Sequence, residues 1–349
     1  MGIGTLWRGE NDYDFVGKLR YGIALSAVFV LASIGALLIR NLDLGIDFEG
    51  GTAFTAPAAE DVSVADVRDE LRGVGLEGAK IQFFGVGDNR SVRVQTLALS
   101  EISAGEDEIR DAMGSLQGVE AEEVSITEVG PSWGNEISNK AQRALIFFFV
   151  AIAAYITLRF EWKMAVAALA AVVHDIIVTV GVYAIFQFEV TPATVIAFLT
   201  ILGYSLYDTI VVFDKIDENV AVLRSSRAAY PDMVNVSLNE VLMRSVNTTI
   251  TSILPVLSLL VVGSLFLGAA TLQEFALALA VGMTVGAYSS VFTAAPVLIA
   301  LKEREPRYRD RDRASGPTPT ITADALAPAV ASTRGPTGIE ARPRRRRRR

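Results

Sequence analysis

Six long apolar runs restrict what this chain can become more than any other feature. They cover Gly22–Ile39, Ala141–Leu158, Met164–Phe188, Thr191–Phe213, Val246–Leu267 and Phe275–Leu301. Each is close to the roughly 20 residues that a helix needs to cross a bilayer core. Backbone groups in hydrocarbon find no water, so such runs must close their hydrogen bonds within themselves, as helices. A chain that is 51% hydrophobic and only 20% charged is too apolar for an ordinary soluble domain of 349 residues, and the excess sits in these runs. The first run follows Arg8, Lys18 and Arg20 and ends in Leu-Leu-Ile-Arg-Asn. With no small-x-small site at its polar boundary, it reads as an uncleaved signal anchor.

Orientation follows from the lysines and arginines, which are enriched on cytoplasmic flanks. An even number of spans puts both termini on one side. That side carries Arg8, Lys18, Arg20, Arg159, Lys163, Lys215, Arg224, Arg227, Arg244 and an arginine-rich tail, so it is expected to be cytoplasmic. The expected parts are a cytoplasmic segment 1–21, a first transmembrane helix 22–40, an extracytoplasmic domain 41–139, transmembrane helices 2–6 over 140–301, and a disordered basic tail 302–349. The expected location is the cell membrane of a prokaryote.

Between Asn41 and Asn139 the pattern alternates strand, helix, strand, strand, helix, strand. The β-prone runs are Gly51–Thr55, Lys80–Val86, Ser91–Leu97 and Val124–Val129. Val64–Leu71 and Glu101–Leu116 have helical spacing, with Ser63 and Ser100 as expected N-caps. Gly87–Arg90 reads as the turn between the middle strands. Two such halves predict a split-βαβ, ferredoxin-like domain. The fold class expected for the whole chain is therefore an α-helical membrane protein, six transmembrane helices with an α+β ferredoxin-like extracytoplasmic domain inserted between helices 1 and 2. The chain has no cysteine and a single histidine, His174, which excludes disulfides, thiol chemistry and a multi-histidine metal site. No cofactor is expected, and nothing in the inserted domain forms a catalytic constellation.

Ionisable groups at membrane depth are costly and mark functional positions. Asp175 lies about twelve residues into the third run, ~18 Å along the helix and near mid-bilayer. Asp175, Thr179 and Tyr183 share one face by their spacing of four, and so do Thr200, Tyr204 and Asp208 in the fourth run, with Ser205 beside them. The fifth run opens with Arg244 and continues with Thr248, Thr251, Ser252 and Pro255 on one side. Burial raises a carboxyl pKa and a nearby guanidinium lowers it, so an approach of Arg244 to Asp208 would couple protonation to helix packing. The plainer reading of Asp175 and Asp208 is static interhelical hydrogen bonding. His174 reads as a buried hydrogen-bonding residue. Ala278, Gly282, Gly286 and Ser290 form a small-residue packing stripe, beside a weaker polar stripe of Thr284 and Tyr288. Asp214, Asp217 and Glu218, next to Lys215, read as a solvated helix end.

Several strings go beyond these physical readings. LGIDFEGGT at Leu44–Thr52 resembles the signature shared by SecD and SecF, and GYSLYDTIVVFDKIDEN at Gly203–Asn219 closely resembles the SecF fourth span. Arg244–Pro255, Gly286–Ser290 and VGPSWGNE at Val129–Glu136 are similar to further SecF segments. The resemblance covers about Gly22–Leu301 and departs at Asp217, where the family usually has arginine. It implies a subunit of the resistance-nodulation-division group that pairs with SecD and uses the proton motive force to move unfolded preprotein outward through the SecY/SecE/SecG channel. A YidC-type insertase is a further implied neighbour. It also implies Asp208 and Arg244 as proton-moving residues; with Asp175, Tyr204 and Thr248 from the polar stripes above, they make up the expected proton pathway. Gly45, Asp47, Gly50 and Gly51 become a hinge motif between membrane and outer domain. Protons would be the coupling ion.

Two other functions use similar residues. An intramembrane aspartyl protease also pairs a Tyr-Asp with a second aspartate, although Asp175 follows Val-Val-His and not Gly-x-Gly. A proton-coupled small-molecule efflux subunit is the other alternative. The tail ends in Arg342 and Arg344–Arg349, and such a cluster suits anionic lipid or the ribosome, or serves only for solubility.

Overall fold

The computed structural model describes residues 13–102, 104–117, 120–222, 229–306 and 308. Arg8, Arg224, Arg227 and the arginine-rich tail lie outside the described residues. Along the chain the elements are α1 (Phe15–Arg40), β1 (Asp43–Leu44), α2 (Ile46–Glu49), β2 (Gly51–Pro57), α3 (Val64–Gly73), β3 (Lys80–Phe84), β4 (Ser91–Thr96), α4 (Glu106–Gln117) and β5 (Ser125–Val129). They continue with α5 (Pro131–Arg159), α6 (Trp162–Phe186), β6 (Glu189–Val190), α7 (Pro192–Val222), α8 (Tyr230–Val261), α9 (Ala270–Ser289) and α10 (Ala295–Lys302).

Six of the described helical stretches are long and apolar enough to cross a membrane: α1, α5, α6, α7, α8 with its following turn, and α9 through α10. The protein is a multi-pass, mainly helical membrane protein. About half of the apolar window is buried in α6, α7 and α9–α10, against 6–17% in α1, α5 and α8. The first group therefore forms the interior, and the second turns most of its apolar surface outward. Wide π turns follow α8 at Val262–Phe266 and α9 at Ser290–Ala294. The second is explained by Pro296, which has no N–H to continue the helical ladder and whose ring crowds the preceding turn.

The contacts divide the chain into two compact units. The smaller takes in the start of α1, residues 211–243 and the end of α10. Within it, Asn235 Oδ1 accepts the backbone N–H of Phe15 at 2.8 Å and of Val16 at 3.2 Å, which satisfies free donors at the start of α1. Lys215 pairs with Glu218 and Glu240, each at 3.2 Å. Asn219 donates to Ser237 and Glu240 at 3.0 and 2.8 Å.

The larger unit, residues 19–210 and 244–298, holds the remaining elements. Its four-stranded sheet runs β3-β4-β2-β5, with every neighbouring pair antiparallel. Strand alternation sends Phe54, Val92 and Val94 to full burial against Val67 and Leu71 of α3 and Ile109 and Met113 of α4. Each such side chain contributes about 1.5–3 kcal/mol of burial. Ser63 caps α3 in a reciprocal capping box with Asp66. The second helix begins at Glu106 and not at Glu101, because Gly105 interrupts the helical pattern and its carbonyl accepts the Ile109 N–H at 3.2 Å. Ser100 lies instead in a short 3-10 turn. A two-residue parallel pairing, Asp43 with Glu189 and Leu44 with Val190, ties the exit of α1 to the loop after α6.

Candidate functional site

Asp208 lies on the interior side of α7 and is 7% exposed. Its carboxylate is held from two other helical stretches. Ser245 Oγ on α8 donates to Oδ1 at 2.6 Å, and Ser290 Oγ, in the π turn after α9, donates to Oδ2 at 2.7 Å. One turn earlier on α9, a side chain at Gly286 would stand 2.8 Å from Ser205 Cβ, so glycine is what lets α9 close on α7 here. Wide helical turns recur at functional positions, and this one places Ser290 on the acid.

A second buried acid sits on α6. Asp175 is 1% exposed and accepts from Ser205 Oγ of α7 at 2.5 Å. Its other oxygen lies 3.2 Å from His174 Nδ1. His174 packs near the Tyr288 ring, whose hydroxyl donates to the Gly22 carbonyl of α1 at 2.7 Å and lies 3.2 Å from Ser26. Polar side chains therefore run through the bundle from α1 by way of α9 and α6 to α7. A small cavity of about 90 Å³ beside Asp175 is lined by Thr179, whose buried hydroxyl has no hydrogen-bond partner.

The structure does not bring Arg244 onto Asp208. Arg244 is exposed, and its guanidinium donates to the Tyr207 hydroxyl at 3.2 Å, on the outward side of α7. Thr248 Oγ1 donates to the Arg244 carbonyl at 2.8 Å and so is engaged by its own helix. Tyr204 packs with the apolar cluster around Tyr183, Ile201 and Val256. Asp175 and Asp208 bond to different serines, and no hydrogen bond joins the two carboxylates. Ser245 and the hydrogen-bonding role of Ser290 escape the sequence reading, since serine in a membrane helix ordinarily bonds its own preceding turn. The one available signal is that Ser290 alone carries a hydroxyl in the stripe Ala278, Gly282, Gly286, Ser290.

The glycine-rich string after α1 forms a tight joint. The Gly45 N–H donates to the Val190 carbonyl at 3.0 Å, and a Cβ there would stand 2.7 Å from Glu189 Oε1. Gly50 and Gly51 adopt φ of 82° and 136°, which side-chain-bearing residues rarely take. Asp47 lines a cavity of about 320 Å³ with Arg93, Glu189 and Glu274. Among the described residues, no three His, Asp or Glu side chains are grouped to hold a metal ion.

Comparison with known proteins places these features in a family. Residues 109–304 match the family described as protein export membrane protein SecD/SecF, C-terminal. The protein translocase subunit SecF of Streptomyces coelicolor is 42% identical over 305 residues, covering 87% of this chain and 80% of that one. SecF of Mycobacterium tuberculosis is 37% identical, covering 88% and 71%. The crystal structure of SecDF from Thermus thermophilus superposes with a TM-score of 0.73 at 34% identity, covering 87% of this chain and 40% of that one. A match over more than half of the chain and relatives this similar along most of their length lead to one conclusion: the chain belongs to the SecF family of protein export membrane proteins.

Proposed function

We propose that this chain is a protein-export subunit in which Asp208 takes up and releases protons, and that this change drives movement of the extracytoplasmic domain. The observation that carries the proposal is the setting of Asp208: a carboxylate buried at membrane depth, bound by hydroxyls from two neighbouring stretches of helix. Ionisable groups there are expensive and mark ion or proton paths. Serine suits both protonation states, because its hydroxyl donates to a carboxylate and accepts from a carboxylic acid. Ser290 also has the Ala287 carbonyl as a second acceptor at 3.2 Å, so its hydrogen has somewhere to go when Asp208 is protonated. Asp175, with His174 and Ser205, is the second station on the path. Arg244 enters only after a helix movement that carries it from Tyr207 toward Asp208, with Thr248 beside it and Tyr204 further along the path.

The partner is SecD. The match to 40% of the SecDF chain, a relative named for both subunits, supports this. The SecY/SecE/SecG channel, a YidC-type insertase and an unfolded preprotein complete the proposed assembly, with both termini cytoplasmic and the tail on anionic lipid or the ribosome. The domain over 41–139 is read as ferredoxin-like, and its strand order and antiparallel pairings support that reading. Gly45, Gly50 and Gly51 with Asp47 form its hinge, for which the positive φ angles at two of these glycines are the support. Separate hydrogen-bond partners for Asp175 and Asp208 count against an aspartyl protease, whose two carboxylates share one proton at close range.

The test is Asp208→Asn in membrane vesicles with SecD present. Partner binding is expected to persist while proton-gradient-stimulated export is lost. Full stimulation in that variant refutes the role given to Asp208.

A further inference from the structure

Away from Asp208, a dense grouping of charge among the described residues lies where the sheet meets the ends of the membrane helices, within the larger unit. Val92 and Val94 point into the core, so alternation turns Arg93 and Gln95 to the opposite face of β4. The antiparallel register sets Lys80 of β3 beside Gln95. Facing them are Asp43 of β1, Asp47 of α2, Glu189 of β6 and Glu274 near the start of α9. Lys80 Nζ lies 2.6 Å from Asp43 Oδ2 and 3.0 Å from Glu189 Oε2. Gln95 Nε2 donates to Glu189 Oε1 at 2.8 Å, and Arg93 Nη1 stands 3.4 Å from Glu274 Oε1. Asp47 shares its cavity with Arg93, Glu189 and Glu274, while Glu49 lines the neighbouring cavity beside Asp43 and Lys80.

The sheet contributes only cations and the membrane side only acids, and the two do not balance. Four carboxylates, those of Asp43, Asp47, Glu189 and Glu274, face two cations, Lys80 and Arg93. The Glu189 side chain is 4% exposed and that of Glu274 is 12% exposed. Glu189 is paired with Lys80 and Glu274 with Arg93, which leaves Asp47 beside them with no ion pair of its own among the described residues, and a carboxyl so placed favours its neutral form. We infer that this junction is a proton-charged latch: a proton held on Asp47, in the cavity it shares with Glu189 and Glu274, keeps the sheet seated on the helix ends, and its loss sets the carboxylates against one another and loosens the seat.

The surroundings of Asp47 agree with this. Burial pushes its carboxyl above the ordinary 3.8, the charge of Glu189 adds to the effect, and Arg93 partly opposes it. A carboxyl raised in the seated state binds its proton more tightly there than when released. Seating therefore strengthens as pH falls through the raised value of Asp47 toward 3.8, and weakens as pH rises above it. For one proton, the seated-to-released ratio changes by up to about tenfold per pH unit. The glycine joint at Gly45, Gly50 and Gly51 adjoins Asp47, so the seat and its hinge lie together.

The chain has no cysteine, so Glu70→Cys and Leu267→Cys give an exposed spin-label pair, one on α3 and one beyond α8. Pulsed electron paramagnetic resonance on the full chain in lipid nanodiscs, from about pH 4 to 8, reads the distance between them. The expected result is a narrow distribution in acid that broadens toward alkaline pH, and a narrow distribution throughout in Asp47→Asn. Should Asp47→Asn fail to fold, as judged by its melting profile, Glu274→Gln takes its place with the same expectation. A parent distribution indifferent to pH overturns the latch, as does a folded neutral variant that keeps the parent's response or is broad at every pH. The readout needs neither export nor a partner, so its failure leaves the proposed function of Asp208 standing.

Discussion

Asparagine is the nearest neutral copy of aspartate, and the surroundings of Asp208 set what the exchange costs. The carboxylate accepts from Ser245 at 2.6 Å and from Ser290 at 2.7 Å. With an amide at this position, one oxygen still accepts. The NH2 group, turned toward Ser290, donates to a hydroxyl whose own hydrogen moves to the Ala287 carbonyl, 3.2 Å away. Both contacts survive, but without charge assistance, which over two bonds loses about 1–3 kcal/mol. Removing a buried charge returns a desolvation penalty of several kcal/mol, of similar size and opposite sign. The expected net change in unfolding stability for Asp208→Asn is therefore within about 1 kcal/mol, since these two effects offset one another. Asp208→Ala differs, because it leaves the Ser245 hydroxyl without its acceptor and opens a void, at a cost of about 1–3 kcal/mol or more. Thermal unfolding of both purified variants, measured beside proton-stimulated export, separates structure from function. Both should lose the stimulation, and only alanine should lose much stability. Asparagine destabilising by more than about 3 kcal/mol would show that the ionised acid is a structural requirement, and the reasoning about interchangeable hydroxyl partners would fail.

Ser290→Ala should reduce proton-stimulated export more than Ser289→Ala, whose hydroxyl donates only to the Gly286 carbonyl, while both variants still bind the partner subunit in a pulldown. Gly134→Ala puts a Cβ 2.5 Å from the Phe48 carbonyl, where α5 packs on α2, and should lower the melting free energy by about 1–3 kcal/mol. Ser63→Ala removes the hydroxyl and perturbs the capping box that hold the Asp66 carboxyl below 3.8. The Asp66 contribution is present above that ordinary value and is lost as pH falls through the depressed one. Acid unfolding followed by circular dichroism should therefore show a smaller pH dependence in this range for Ser63→Ala than for the parent.

The sequence made the spans visible because water is absent from a bilayer and only unbroken apolar runs can cross it. Strand and helix order in the α/β segment was equally legible, since Val92 and Val94 alternate with Arg93 and Gln95, and Ser63 announces its helix. The start of α4 was not, because Gly105 outweighs the periodicity around it. Asp175 and Asp208 stand out as charges in hydrocarbon, yet their partners do not. Ser205, Ser245 and Ser290 are ordinary residues for a membrane helix, and only the packing of α6, α7, α8 and α9 gives them an acid to bind. Arg244 is the opposite case. Its charge and position suggested Asp208, and in this structure its guanidinium donates to the adjacent Tyr207, on the exposed side of α7, while the neighbouring Ser245 takes the acid. The charged junction was hidden for a topological reason, since Lys80, Arg93, Asp47, Glu189 and Glu274 come from five separate segments.

Infrared difference spectroscopy on the subunit with SecD in vesicles, with a proton gradient switched on and off, addresses the carboxyl of Asp208 most directly. A protonated-carboxyl band that appears and disappears with the gradient, and is missing in Asp208→Asn, is the predicted result. A spectrum in which that band never changes, or changes equally in Asp208→Asn, contradicts the claim that this acid carries the coupling proton.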